Sequence, residues 1–156
     1  MEYDNTLIDP SLLFEKQAFA TSEVIQNFSN KMSFSLPAGF NHVAIVCYAV
    51  DVLDEKELTI LQNTIKWLGL NYSECLIITY NKAAFPLIDW QKQGIKKMII
   101  FGKEAVADYS NIILPINKPF FFSNIDIIIG EKLEQLPTAS PEQKKIFATG
   151  IKQLLA

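Results

Sequence analysis

Arginine is absent from this chain, and all 14 basic residues are lysines. Without guanidinium groups there are no bidentate contacts to guanine or phosphate. With a net charge of −3 as well, strong direct binding to nucleic acid is not expected. Histidine occurs once, at position 42, which excludes a multi-histidine zinc site. There are two cysteines, Cys47 and Cys75, each inside an apolar run. That is too few for a disulfide framework, a zinc site or an iron–sulfur site. They read as buried free thiols in a reducing compartment, and so point to the cytoplasm. No apolar run approaches the length of a membrane span. Met1 is followed by Glu2 and Asp4, not by the basic and then apolar regions of a secretory signal. No metal ion or cofactor is expected.

What is present is apolar and aromatic. The 156 residues are 49% hydrophobic and include 11 phenylalanines, enough to bury a substantial core. The pattern divides the chain into an N-terminal helical extension, residues 1–40, and a single α/β domain, residues 41–156. There is no internal repeat and no low-complexity segment.

The domain is organised around Gly94 to Tyr109, GIKKMIIFGKEAVADY. Met98 to Phe101 is a short continuous apolar run flanked by Gly94 and Gly102, the pattern of a strand buried on both faces. After Gly102 the period changes. Ala105, Val106 and Tyr109 fall on one face of a short helix.

In the extension, Asp9 as N-cap and Pro10 as first helical residue introduce Leu12, Leu13 and Phe14. A second short helix carries Val24, Ile25 and Phe28 and ends near Asn30. Val43 to Val50, VAIVCYAV, is the first clear strand. Asp54 with Glu57 opens a helix with a capping box. Leu58, Leu61, Ile65 and Leu68 form its stripe, and Gly69 stops it.

Leu76 to Tyr80 is the second strand. A helical segment between Asn81 and Gly94 accepts Pro86 in its first turn and turns Leu87, Ile88 and Trp90 to the sheet. Ile112 to Leu114 is short and apolar. Phe120 to Phe122 and Ile125 to Ile129 are strand candidates. The phenylalanine triplet, the window most prone to aggregate, needs burial or pairing. The last helix starts at Ser140, with Pro141 and Gln143 completing its cap. Ile146, Phe147, Ile151, Leu154 and Leu155 form its buried face.

Strands separated by helical segments predict a three-layer α/β/α sandwich with a mostly parallel central sheet. In such sheets a ligand crevice lies beyond the carboxyl ends of the strands. Those ends carry Tyr48 and Asp51, then Tyr80 and Asn81, then Gly102 and Lys103.

Each candidate also has a plain structural reading. Gly102-Lys103 lacks the upstream glycine of a phosphate loop, and a tight strand-to-helix turn explains it better. Asp54 is explained as an N-cap, which leaves Asp51 as the open carboxylate. His42 precedes the first strand, away from the crevice, and reads as a surface or packing residue. The lysine groups 92, 96, 97 and 144, 145 read as solvated helix faces. Trp67 and Trp90 read as core residues, and one of them standing exposed would mark an interface.

GIKKMIIFGKEAVADY, LEQLPTASPEQKKIFATGIKQLL and VAIVCYAV together resemble the uracil-DNA glycosylase-like superfamily, over roughly residues 43–155. The resemblance implies that fold without its chemistry. The family's glycine-rich, water-activating loop would follow the first strand, where this chain has Ala49-Val50-Asp51-Val52-Leu53. Its late histidine loop would fall near Ile129-Gly130-Glu131, which holds no histidine.

In size, acidity and lost motifs the chain resembles the non-catalytic psi accessory subunits of the DNA polymerase III clamp loader. That implies a protein-interaction module with replication subunits as partners, and Leu12, Leu13 and Phe14 as a partner tether. The rival expectation is a divergent glycosylase-like enzyme or small-ligand binder using Tyr48, Asp51, Asn81, Gly102 and Lys103.

Overall fold

The computed structural model describes residues 36–49, 52–87, 90–109 and 114–156. Among the described residues five strands form one sheet: β1 (Val43–Tyr48), β2 (Leu76–Tyr80), β3 (Lys97–Phe101), β4 (Phe120–Phe122) and β5 (Ile125–Gly130). Their spatial order is β2-β1-β3-β5-β4. The first four in that order run parallel, and β4 pairs antiparallel with β5 at the rim. The mostly parallel α/β class expected from the sequence is therefore present.

Central strands of a parallel sheet have no solvent face, which is why β1, β3 and β5 are apolar at successive positions. Alternate side chains enter opposite cores. Ile45, Cys47, Ile99, Phe101 and Ile128 face one side, and Ala44, Val46, Met98, Ile100, Ile127 and Ile129 face the other.

Of the described elements, two α-helices cover the first side: α1 (Glu55–Trp67) and α2 (Pro141–Leu155). Both caps follow the sequence pattern. Glu57 N–H donates to Asp54 Oδ1 at 2.7 Å, and Gln143 N–H donates to Ser140 Oγ at 3.2 Å, with the reciprocal bonds present in each box. Leu61 and Ile65 of α1 and Phe147, Ile151 and Leu154 of α2 are buried. Phe147 meets Phe101 edge-on, ring centroids 5.7 Å apart. It also lies where a Cβ on Gly130 would stand, so the missing side chain at the end of β5 makes room for this ring.

Three expectations change on this framework. Ile146 is 56% exposed and not part of the buried face. It precedes Phe147 by one residue, or about 100° of helix, which turns it off the sheet. The segment after Gly102 is a 3-10 helix, Lys103–Tyr109, kinked at Val106, and not an α-helix. Ala105, Val106 and Tyr109 are nevertheless buried as their spacing required.

Third, the described residues between β2 and β3 contain one 3-10 turn, Trp90–Gln93, and no α-helix. Ahead of that turn, the backbone bonds run to the segment after β3. Phe85 N–H donates to Ala105 O, and Asp108 N–H to Ala83 O, each at 2.8 Å. Leu87 and Trp90 do reach the core. Among the described residues the second face is thus covered by 3-10 turns and extended chain. Phe85 and Trp90 stack there with rings 5.5 Å apart.

The triplet Phe120–Phe122 is paired, as its composition demanded, although Phe121 on the rim is 67% exposed. Ser123 and Asn124 form the two-residue turn to β5, both with positive φ, as a type I′ hairpin requires. The expected helices before Asn30, with Leu12, Leu13 and Phe14, and the apolar run at Ile112 and Ile113 lie outside the described residues, as do Val50 and Ile88.

Candidate interaction groove and strand-end crevice

The sheet order fixes where a crevice can open. From β1 the chain moves outward through α1 to β2, then returns to β3 on the other side of β1. The segment after β1 leads to the α-helical face, and the segment after β3 leads to the opposite one. The carboxyl ends of β1 and β3 therefore flank the topological switch point.

Tyr48 and Gly102 meet there. Gly102 has φ +121°, and a Cβ on it would stand 2.5 Å from Tyr48 Cβ. Its N–H donates to Gly130 O at 2.9 Å, tying β3 to β5. The tight-turn reading of this glycine is what the geometry displays.

The side chains around Tyr48 form an ion-pair cluster. Lys132 Nζ lies 5.3 Å from the Tyr48 ring centroid, 3.8 Å from Glu104 Oε2 and 3.7 Å from Glu134 Oε1. Lys103 Nζ pairs with Glu131 Oε1 at 3.4 Å. Thus Tyr48, Gly102 and Lys103 come together, whereas Asn81 stands exposed after β2 and Asp51 lies outside the described residues. Glu104, Glu131, Lys132 and Glu134 were not singled out from the sequence. Their only advance signal was position, directly after β3 and β5. Glu104 Oε1 is buried with no hydrogen-bond partner.

The remaining polar groups carry structural duties. Burial pushes the Cys47 thiol up to about 12, with the Glu57 carboxylate adding to the rise. Burial raises Cys75 too, although its sulfur accepts a hydrogen bond from Asn41 Nδ2 at 3.2 Å. Neither thiol is a ready nucleophile. Tyr109 is likewise raised to about 12 by burial, and its hydroxyl donates to Phe85 O at 3.1 Å. His42 is exposed before β1, with Nδ1 2.8 Å from Gly94 O, as expected for a surface residue. No group of three metal-ligating side chains occurs among the described residues. No helix among them is long and apolar enough to cross a membrane.

A second feature lies on the α-helical face. α1 leans on the Leu133–Thr138 turn and α2 on β5. Between the helices runs an open trough of about 390 Å³. Ile60, Asn63, Thr64 and Trp67 line it from α1, and Lys144, Phe147, Ala148 and Ile151 from α2, with Leu136 and Pro137 completing the wall. Each helix contributes positions i, i+3, i+4 and i+7, a single face.

The Thr64 hydroxyl is spent on Ile60 O at 2.7 Å, so the trough is mainly apolar. Trp67 is 57% exposed, while Trp90 is fully buried with its indole N–H donated to Pro86 O at 2.6 Å. The expected core position thus holds for Trp90 and not for Trp67, which stands out at the C-terminal end of α1. Lys152 Nζ caps its ring, 4.8 Å from the centroid.

Comparison with protein-family models and with curated proteins finds no match to this chain. The chemistry of these two places is thus the ground for a functional reading.

Proposed function

We propose that this chain is a non-enzymatic protein-interaction module. The observation that carries the reading is Trp67, half out of the structure beside an apolar trough. Large aromatics are enriched at the centres of protein interfaces, where their area is desolvated by a partner. A Trp left exposed next to apolar walls is a cost in water that a partner removes.

The narrower reading is a psi-like replication accessory subunit on a glycosylase-like α/β/α scaffold, working in the cytoplasm. It is supported by the sequence resemblance, whose three segments contribute β1, β3 with its following turn, and α2. Two free buried thiols agree with a reducing compartment.

Photocrosslinking tests both levels. A benzophenone amino acid placed at position 67 in native cells is expected to capture clamp-loader or other replication subunits, and one at exposed Lys118 is not. Capture of other proteins only at position 67 refutes the replication assignment. Equal capture at both positions refutes the interaction reading.

The rival reading, a small-ligand site or divergent glycosylase at the strand ends, is favoured by one observation: the unpartnered Glu104 Oε1 beside Tyr48 and Lys132. Release of uracil from single-stranded DNA by the purified protein, abolished by Glu104→Gln, would establish that reading in place of the first.

A further inference from the structure

Resting on the interaction reading, we infer that the α1–α2 trough receives an acidic amphipathic helix of a partner protein, held at its two ends by Lys144 and Lys152. The walls are two helix faces, so the trough is linear and its apolar lining repeats with helical spacing. A third helix laying an apolar stripe between them is the recognition mode that such a shape serves.

Charge narrows the occupant. Among the described residues, the only ionisable side chain lining the trough is Lys144, and Lys152 stands over Trp67. Lys144 Nζ donates to Pro137 O at 3.3 Å, and Lys152 rests on the indole face. Neither of those partners is an anion, so both ammonium charges stay unneutralised among the described residues. Of the carboxylates on the flanking elements, Glu57 is engaged with Asp54 N–H and Glu134 with Lys132, and Glu55 and Glu142, in the first turns of the two helices, do not line the trough. In a chain of net charge −3, this is a local cationic pair framing apolar surface.

Spacing gives the partner's pattern. Lys144 and Lys152 lie on one continuous helix, and eight residues correspond to about 12 Å of rise. A docking helix that places Asp or Glu about two turns apart, with apolar residues between, meets both cations and fills the apolar wall. A nucleic-acid backbone fits less well, because closely spaced phosphates call for a row of cations and gain little from an apolar floor.

The test uses the full chain and two synthetic helical peptides of about 14 residues, identical in leucine pattern, one with glutamates and one with lysines at the remaining positions. Trp67 fluorescence reports binding, and Trp67→Phe identifies the signal, since Trp90 is buried.

The glutamate peptide is expected to shift Trp67 emission to the blue and to bind at least about tenfold tighter than the lysine peptide. The double reversal Lys144→Glu, Lys152→Glu should cost about the same factor, and Lys118→Glu should cost nothing. Equal binding of both peptides, or indifference to the double reversal, overturns the charge assignment while the trough stands as an interaction site. Absence of binding by either peptide, with no specific crosslink at position 67, overturns both readings. If acrylamide fails to quench Trp67 in the free chain, residues 1–35 or a second copy already cover it. The partner-helix assignment then falls, and sedimentation tells which of the two is responsible.

Discussion

Replacing Gly102 with alanine adds one methyl group and should be among the most damaging single changes in this fold. Two separate effects combine. At φ +121° an L-residue is strained, which costs about 1–3 kcal/mol. The new Cβ would also stand 2.5 Å from Tyr48 Cβ. That atom is fixed to the backbone of a central strand and cannot swing aside, so β1 and β3 must part, at about 1–3 kcal/mol more.

The sum, about 2–6 kcal/mol, is a large share of the 5–15 kcal/mol that a domain of this size typically has. At roughly 2–4 °C per kcal/mol, the melting temperature should fall by about 4–24 °C. Urea titration followed by circular dichroism would measure the change directly. A companion variant isolates the cause. Tyr48→Ala removes the ring but keeps the offending Cβ, so the Gly102→Ala, Tyr48→Ala double variant should show no rescue. A Gly102→Ala protein within about 0.5 kcal/mol of the parent would refute the argument. So would recovery in the double variant.

Asp54→Ala and Ser140→Ala each remove an N-cap and should each cost about 1 kcal/mol. Because they cap different helices, urea midpoints should show the two losses adding. The tryptophans should behave oppositely under truncation. Trp90→Ala empties a core site and should cost about 3–5 kcal/mol, whereas Trp67→Ala should stay within about 0.5 kcal/mol in the same assay. In alkali, Cys47 and Tyr109 keep their protons in the fold to about pH 12, while the unfolded chain releases them near 9 and 10. The fold therefore binds more protons in that window, and stability should be full below about pH 9 and fall as pH rises toward 12. Thermal melts across that range, compared with Cys47→Ala, would check it.

Much of the fold was legible because the residues concerned answer to one local rule each. The apolar runs of β1, β3 and β5 have no solvent face, and only a central parallel strand needs that. Asp54/Glu57 and Ser140/Gln143 are complete capping boxes within four residues. The second layer was not legible, because its order comes from another part of the chain: Phe85 and Asp108 bond across to Ala105 and Ala83, which helical spacing does not encode. Ile146 was misplaced because apolar composition alone does not say which side of a helix faces the sheet.

At the crevice, Tyr48, Gly102 and Lys103 could be named from strand ends alone. The pairing of Lys132 with Glu104 and Glu134 could not, since it depends on β5 lying beside β3, a fact of topology. The trough was not legible, because Trp67 reads like Trp90 as a core residue and apolar spacing alone does not show that it stands exposed.

The Ser123-Asn124 turn has a kinetic consequence. Adjacent strands joined by two residues can zip together in microseconds, because almost no chain entropy is lost in bringing them face to face. β4 can thus set the alignment of β5 early. The parallel partners β1 and β3 must first bring together segments separated by α1 and all of β2, which is slow. The hairpin at the rim would then be the first part of the sheet to form, and β5 would dock onto β3 with Ile127 and Ile129 already turned to one core and Ile128 to the other.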